Sequence, residues 1–332
     1  MSAQDAIIEV DGRRIECPPG ATVLSALEQA GLDVPSGCRA GTCKKCMVQA
    51  DGPAPAAAQR GLRAQLADQG FFLACQACPA DPPAQATVRL RDPRGPAPVS
   101  AHVNGIDAVA PDVARIFLTV EAELPYRPGQ YVDVLHPSGA TRSYSLASLP
   151  EDGRLEMHVR RVPNGQVSGW LHGLDPGDEL RLRGPFGLCY YVDDAPAQRL
   201  LLIGAGTGLA PLVGIARSAL ACGHTGPIDL VHGGLTPERL YLRDELGALA
   251  EQHPSLRVHH CVLRDATERE HQGALDEVAL RVAGPLAETR AYLCGDDAIV
   301  RTLQRGLFLA GLPSGEIHAD PFEPARPAGA PG

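Results

Sequence analysis

Lysine is almost absent from this chain of 332 residues: Lys44 and Lys45 are the only two, and all other cations among the 30 lysines and arginines are arginine. Codon bias in a GC-rich genome accounts for arginine elsewhere, and it leaves the adjacent lysine pair standing out. No apolar run approaches the roughly 20 residues of a membrane span, so no membrane partner is expected. The net charge is −9 and the arginines are scattered rather than striped, which argues against nucleic acid. The opening "MSAQDAIIEV" has neither a basic n-region nor an apolar h-region. A signal peptide is therefore not expected, and the cytoplasm is the expected compartment. Thiols stay reduced there, so clustered cysteines point to a metal site before disulfides. The length allows two or three domains of roughly 100–200 residues each.

Three cysteines and both lysines fall in "CRAGTCKKC". Cys38, Cys43 and Cys46 are spaced C-x4-C-x2-C, and Cys75 follows in "FFLACQAC". Three ligands on one loop and one arriving later is the plant-type 2Fe–2S spacing, and soft thiolates suit iron. The loop residues Ser36, Gly37, Ala40, Gly41 and Thr42 are small enough to let backbone N–H groups approach cluster sulfurs. Two other readings compete. Zinc would use Cys43 with Cys46 and Cys75 with Cys78, but the gap exceeds the roughly 15–20 residues of a zinc ribbon and strands Cys38. Four ordinary buried cysteines in this pattern would be an odd accident. Around the loop, "IIEV" and "RRIECPP" alternate like a hairpin turning at Asp11 and Gly12. "TVLSALEQAG" reads as a helix ending at Gly31, and "ATVRLR" as a strand. The expected fold is a β-grasp-like ferredoxin domain over 1–92, with a Pro- and Gly-rich linker at 93–98.

From 99 to 195 the strand signals are dense: "ARIFLTVE", "GQYVDVLHP", "RLEMHVRRV" and "DELRLRGP", separated by turn residues. Strands at this spacing predict an antiparallel β-barrel. In "TRSYSLAS", an arginine, an aromatic and a hydroxyl at alternate positions are expected to share one strand face. Arg142 can hold a phosphate in bidentate fashion, Tyr144 can pack on a flat ring, and Ser145 can reach a ring nitrogen. Alone, "RSYS" reads equally well as a solvated strand. "PNGQVSGWL" places Gly165 and Ser168 at a helix start, either a second phosphate site or simply a capped terminus.

From 196 to 323 strand and helix alternate, which predicts a doubly wound parallel sheet whose ligands sit at the carboxyl ends of its strands. "RLLLIGAGTGLAPLVGIARSAL" is a strand, a turn of Gly204, Gly206 and Gly208, and a helix carrying Pro211. A lone glycine turn is weak support for a nucleotide. His232 and Cys294 also stand at strand ends, and His232 reads better as a core residue.

In this order the motifs resemble the reductase components of bacterial aromatic-ring-hydroxylating dioxygenase systems. The resemblance runs over nearly the whole chain and is carried by "CRAGTCKKC", "LACQ", "RSYSLA", "MHVRRVPNGQVS", "GPFG", "GAGTGLAP", "YLCG" and "IHADPF". It implies FAD rather than FMN, because the FMN relatives usually carry the iron–sulfur domain at the C-terminus. It implies FAD contacts at Arg142, Tyr144, Ser145 and Leu146, at His158, Val159 and Arg160, and at Gly165, Gln166, Val167 and Ser168. The nicotinamide cofactor falls to Gly204, Gly206, Thr207, Gly208, Pro211, Cys294, Gly295 and Asp296. Phe322 would cover the flavin ring, and Ser145, Cys294 and Phe322 are the expected catalytic residues. The tail 324–332 runs past the usual end and is expected to be disordered.

The implied activity is NADH-dependent electron transfer in aromatic hydrocarbon catabolism: hydride to FAD, then single electrons through the cluster to a ferredoxin or terminal oxygenase. A monomer is expected. Lys44 and Lys45 would favour the reduced cluster or dock an acidic partner, with plain solvated lysines weighing equally. NADH is expected over NADPH, because Glu238 offsets Arg239, and Asp244 and Glu245 offset Arg243. Other clients are a diiron monooxygenase or a CDP-deoxysugar dehydratase. A redox sensor or carrier with a degraded flavin site is a further reading, opposed by the intact motifs.

Overall fold

The computed structural model describes residues 6–10, 12–32, 34, 39–41, 46–62, 64–79, 87–90 and 96–322. The chain divides into two compact units, Met1–Pro96 and Ala97–Gly332.

In the first unit β1 (Ala6–Val10) and β2 (Arg13–Cys17) form the expected antiparallel hairpin, with Gly12 at φ +72° in its turn. Helix α1 (Val23–Gln29) opens on a reciprocal cap: Thr22 Oγ1 accepts from Ser25 N at 3.1 Å, and Ser25 Oγ accepts from Thr22 N at 3.0 Å. Val23, Leu24, Ala26 and Leu27 recur at helical spacing and bury against Ile8, Phe72, Leu73 and Val88. Strands β3 (Met47–Gln49) and β4 (Phe71–Leu73) pair as an antiparallel ribbon, with the short helix α2 (Ala64–Asp68) between them. Strand β5 (Thr87–Arg89) returns parallel to β1. Residues 93–95 of the expected linker lie outside the described residues.

The second unit opens with six antiparallel strands: β6 (Val99–Ala110), β7 (Val113–Val120), β8 (Tyr131–Leu135), β9 (Thr141–Ser145), β10 (Leu155–Arg160) and β11 (Glu179–Phe186). Helix α3 (Gln166–Leu171) lies between the last two. The sheet order is β10-β7-β6-β11-β8-β9. A single bridge between Leu146 and Met157, with Ala147 N donating to Glu156 O at 2.9 Å, joins the two edge strands. Closure of the barrel rests on that one point. Strand β6 was not among the expected strands, because "VNGID" in its middle reads as a turn. A register shift between Val103 and Gly105 absorbs the extra residue as a bulge.

The remaining strands are all parallel, in the order β15-β14-β13-β12-β16-β17. They are β12 (Arg199–Ala205), β13 (Ile228–Gly234), β14 (Leu256–Val262), β15 (His271–Gln272), β16 (Thr289–Asp296) and β17 (Ile317–Phe322). The helices are α4 (Leu209–Ala221), α5 (Arg243–Gln252), α6 (Leu275–Ala283) and α7 (Asp297–Leu309). On β12, Leu200 and Leu202 pack with Leu212 and Ile215 of α4, while Leu201 and Ile203 pack with Val278 of α6 and Val300 of α7. Both faces are therefore covered, and that is why the strand reads as a continuous apolar run rather than an alternation. Among the described residues no helix is long and apolar enough to cross a membrane.

Candidate functional site

A cleft of about 1040 Å³ lies in the second unit between β9, β10 and α3 on one side and the carboxyl ends of the parallel strands on the other. Its barrel wall holds Arg142, Tyr144 and Ser145, then His158 and Arg160, then Gly165, Gln166, Val167 and Ser168. Its sheet wall holds Gly206, Thr207, Asp296 and Phe322. Leu146, Val159, Gly204, Gly208, Pro211, Cys294 and Gly295 are buried and do not line the cleft.

The strand face expected in "RSYS" needs correction. In β9, Arg142 pairs with Val134 and Tyr144 with Val132, so those two share a face, while Ser145 pairs with Tyr131 on the other. A period of two separates neighbours, so Tyr144 and Ser145 cannot share a face. Ser145 still reaches the cleft because β9 is an edge strand. Its Oγ donates to Asp320 Oδ2 at 3.4 Å, which ties β9 to β17. Burial raises the Asp320 carboxyl to about 6, against the opposing pull of that hydrogen bond.

His158 is fully committed within the protein. One ring nitrogen lies 2.9 Å from Glu156 Oε1 and the other 2.9 Å from the Tyr241 hydroxyl. Burial lowers its pKa, with Glu156 pulling it back up. Burial alone would raise Glu156, but hydrogen bonds from His158 and Arg115 outweigh it and hold the carboxyl at about 2. At the start of α3, a Cβ on Gly165 would come 2.5 Å from Ser168 Oγ, so that position demands glycine. Ser168 Oγ accepts from Val162 N at 3.1 Å, which makes it a loop brace as well as a cleft residue.

The three glycines of the turn have different duties. A Cβ on Gly204 would lie 2.7 Å from Leu212 Cδ1, and one on Gly208 only 2.2 Å from Cys294 O. Both serve the packing of turn on strand. Gly206, at φ +54°, is the one that faces the cleft. Alternation along β16 places Cys294 with Tyr292 in the core under α4, where its Sγ lies 3.7 Å from Cys189 Sγ. The Cys294 thiol touches no cleft surface, and burial pushes its pKa well up.

The reason expected for NADH selectivity is also corrected. Arg239 Nη1 pairs with Asp112 Oδ1 at 2.6 Å rather than with Glu238. Arg243 pairs with Glu270, and Glu245 takes Arg115 at 2.8 Å. Sequence neighbours in a loop and at a helix start point apart, so the partners come from other elements. Asp112, Asp320, Tyr241, Leu235 and Leu263 carried no signal in the sequence, since each is an ordinary residue until the fold places it.

In the first unit the pairing of Met47 with Leu73 brings Cys46 and Cys75 together, with Ala74 N donating to Cys46 O at 2.9 Å. Both are buried, at 3% and 6% exposure, whereas Cys78 is half-buried. Burial raises the Cys46 thiol, against the pull of a backbone hydrogen bond from Cys75, while the Cys75 side chain adds to the rise. A bound metal would reverse that by holding the thiolates. Gln76 Nε2 donates to Cys75 Sγ at 3.5 Å, and a Cβ on Gly41 would press on Gln76 Cγ at 3.1 Å. Two adjacent buried thiols with a side-chain donor fit an iron–sulfur cluster. Cys38, Cys43, Lys44 and Lys45 lie outside the described residues, as do Ser36, Gly37 and Thr42. Among the described residues no three His, Cys, Asp or Glu side chains come together as a metal site.

Residues 7–80 match the family described as 2Fe-2S iron-sulfur cluster binding domain. Residues 100–191 match the oxidoreductase FAD-binding domain, and 202–305 the oxidoreductase NAD-binding domain. The chain is 36% identical to the reductase subunit of an aromatic O-demethylase from Amycolatopsis sp., covering 96% of this chain and 98% of that one. It is 30% identical to the reductase component of a naphthalene 1,2-dioxygenase system from Pseudomonas putida, over 96% of this chain and 99% of the other. A crystal structure titled as an Amycolatopsis cytochrome P450 reductase superposes with a TM-score of 0.67 at 33% identity, covering 96% of this chain and 99% of that one.

Proposed function

Since the chain belongs to the family of iron–sulfur, FAD- and NAD-binding reductase components of bacterial aromatic-ring oxygenase systems, we propose that it oxidises NADH and passes single electrons to a ferredoxin or directly to a terminal oxygenase. FAD, when bound, supplies the conversion between a two-electron hydride donor and a one-electron cluster. The protein supplies orientation, charge and dryness. Arg142 holds the flavin pyrophosphate from the strand edge, and Tyr144 packs beside the ring system. Ser145, whose hydroxyl donates to Asp320, would stand beside the flavin ring. Phe322, the last residue of β17, closes that face against water. Cys46 and Cys75 hold iron with Cys38 and Cys43.

The observation that carries this reading is the Ser145–Asp320 contact. It brings β9 and the last strand of the parallel sheet to one point of one cleft, as a site for two cofactors would require. The family matches fall inside the proposed domains 1–92, 99–195 and 196–323. A reducing cytoplasm is supported by the eight free cysteines among the described residues. We read the chain as a monomer without affinity for nucleic acid.

Anaerobic addition of NADH to the purified protein tests the reading. Bleaching of both flavin and cluster absorbance, followed by reduction of an added ferredoxin or oxygenase, is expected. A flavin that NADH leaves oxidised would overturn it. A second client is favoured by the 36% identity to an O-demethylase reductase subunit: an oxygenase that demethylates an aromatic ether rather than one that dihydroxylates a ring.

A further inference from the structure

Two leucines at the carboxyl ends of adjacent strands are left in water. Leu235 follows β13 and Leu263 follows β14, with exposures of 46% and 52%, and both line the cleft. Leu263 N donates to Gly234 O at 3.2 Å and Arg264 N to Leu235 O at 3.1 Å, so the two loops are tied side by side. Gly234 leaves the adjoining backbone partly bare, while Gly233 is buried under Leu275. An exposed apolar pair beside bare backbone at these strand ends is a seat for a flat base. The ribose attached to such a base then comes within reach of Arg239, four residues beyond Leu235 and lining the same end.

An arginine at that place is what a 2′-phosphate seeks. Here it is taken. Arg239 Nη1 lies 2.6 Å from Asp112 Oδ1, and Asp112 comes from the turn between β6 and β7, on the barrel side of the cleft. Two other arginines are paired as well, Arg243 with Glu270 and Arg115 with Glu156 and Glu245.

We propose that Asp112 is a specificity-determining residue: by holding Arg239 it denies a 2′-phosphate its cation and selects NADH over NADPH. The proposal rests on the reading of the cleft as a nicotinamide dinucleotide site. A 2′-phosphate carries nearly two negative charges and would have to share one guanidinium with a carboxylate. A 2′-hydroxyl is neutral and can donate to that same carboxylate. Asp112 thus does from the barrel what an acidic residue after the second strand does in other dinucleotide folds. The pair is partly exposed, at 45% and 31%, so it contributes little to folding and its loss leaves the protein intact.

The test compares the holoprotein with Asp112→Asn and with Asp112→Asn/Arg239→Ala, using ferricyanide as acceptor. Asp112→Asn is expected to raise the NADPH-to-NADH ratio of kcat/KM by about tenfold or more, the scale of one charge-assisted contact. The double variant is expected to lose that gain. Inhibition by 2′,5′-ADP should tighten in Asp112→Asn alone, with 5′-AMP unchanged. A parent that prefers NADH and a variant ratio that does not move overturn the role of Asp112 while leaving the cleft assignment standing. So does a gain that survives removal of Arg239. A parent that uses neither cofactor, or prefers NADPH, overturns the underlying reading and this proposal together.

Discussion

Asp320 is a carboxyl that folding moves out of water and gives one weak donor, Ser145. Its pKa rises from 3.8 to about 6, so the folded chain binds the proton more tightly than the unfolded one. The resulting stability is fully present below pH 3.8 and is lost as pH rises through about 6. The size is at most about 3 kcal/mol for a shift of this extent. In Asp320→Asn that dependence should vanish, and melting curves of parent and variant between about pH 4 and pH 7 measure it. Parallel curves would remove Asp320 from the account. The cluster ligands are a second matter of single residues. Cys75 is buried beside Cys46 and Cys78 is more open, although both belong to "CQAC". Cys75→Ser should abolish the visible cluster spectrum while NADH still bleaches the flavin, and Cys78→Ser should match the parent. Iron lost from Cys78→Ser instead would reverse the assignment. The sequence named Ser145 through its motif, but nothing in "IHADPF" announced that its aspartate would lie half-buried beside that serine. Burial belongs to the neighbours of a residue, not to its own letter.

At the scale of elements, the turn between β12 and α4 shows how a motif can be right for more than one reason. "GAGTG" reads as a nucleotide loop, yet Gly204 is needed because Leu212 and Gly208 lie against it, and Gly208 because the end of β16 does. A Cβ at Gly208 meets backbone atoms of Cys294 at 2.2 and 2.6 Å, so the turn or the strand must shift. Gly208→Ala is expected to cost roughly 1–3 kcal/mol, as overpacking does. That lowers Tm by about 2–4 °C for each kcal/mol in a unit of this size. Gly247→Ala, in α5 with nothing within 4 Å of its Cβ, is the control and should hold or raise Tm. Equal melting of the two variants would show that the close approach does not matter. Strand β6 was hidden for a related reason, since a bulge makes a long strand resemble two short ones around a turn.

At the scale of the molecule, the cofactor cleft belongs wholly to the second unit and the cysteine pair to the first. Damage to one should spare the other. Arg142→Ala removes the cation assigned to the flavin pyrophosphate, a charge-assisted contact of roughly 1.5–3 kcal/mol, or about 10–100-fold in affinity. The variant should lose FAD on gel filtration while keeping the visible spectrum of the cluster. Stoichiometric FAD in the purified variant would mean that the phosphate is held elsewhere. Free FAD added back in excess should restore NADH-dependent reduction, which separates a binding defect from a misfolded barrel.

By itself the sequence determined the order of the parts and most of their elements. Cysteine spacing, alternation in the strands and the apolar run of β12 are local patterns, and local patterns survive without a fold. It also supplied three residues that line the cleft, Arg142, Tyr144 and Ser145, since neighbours on one strand are adjacent before any folding. Tertiary structure alone decided which residues meet across the chain. It set Asp112 on Arg239, Asp320 on Ser145, and Tyr241 on His158. It also turned Cys294 into the core. The physical reason is common to all of them: charge pairing and burial depend on distance in space, and residues far apart in the chain acquire a distance only when sheet order and strand register are set.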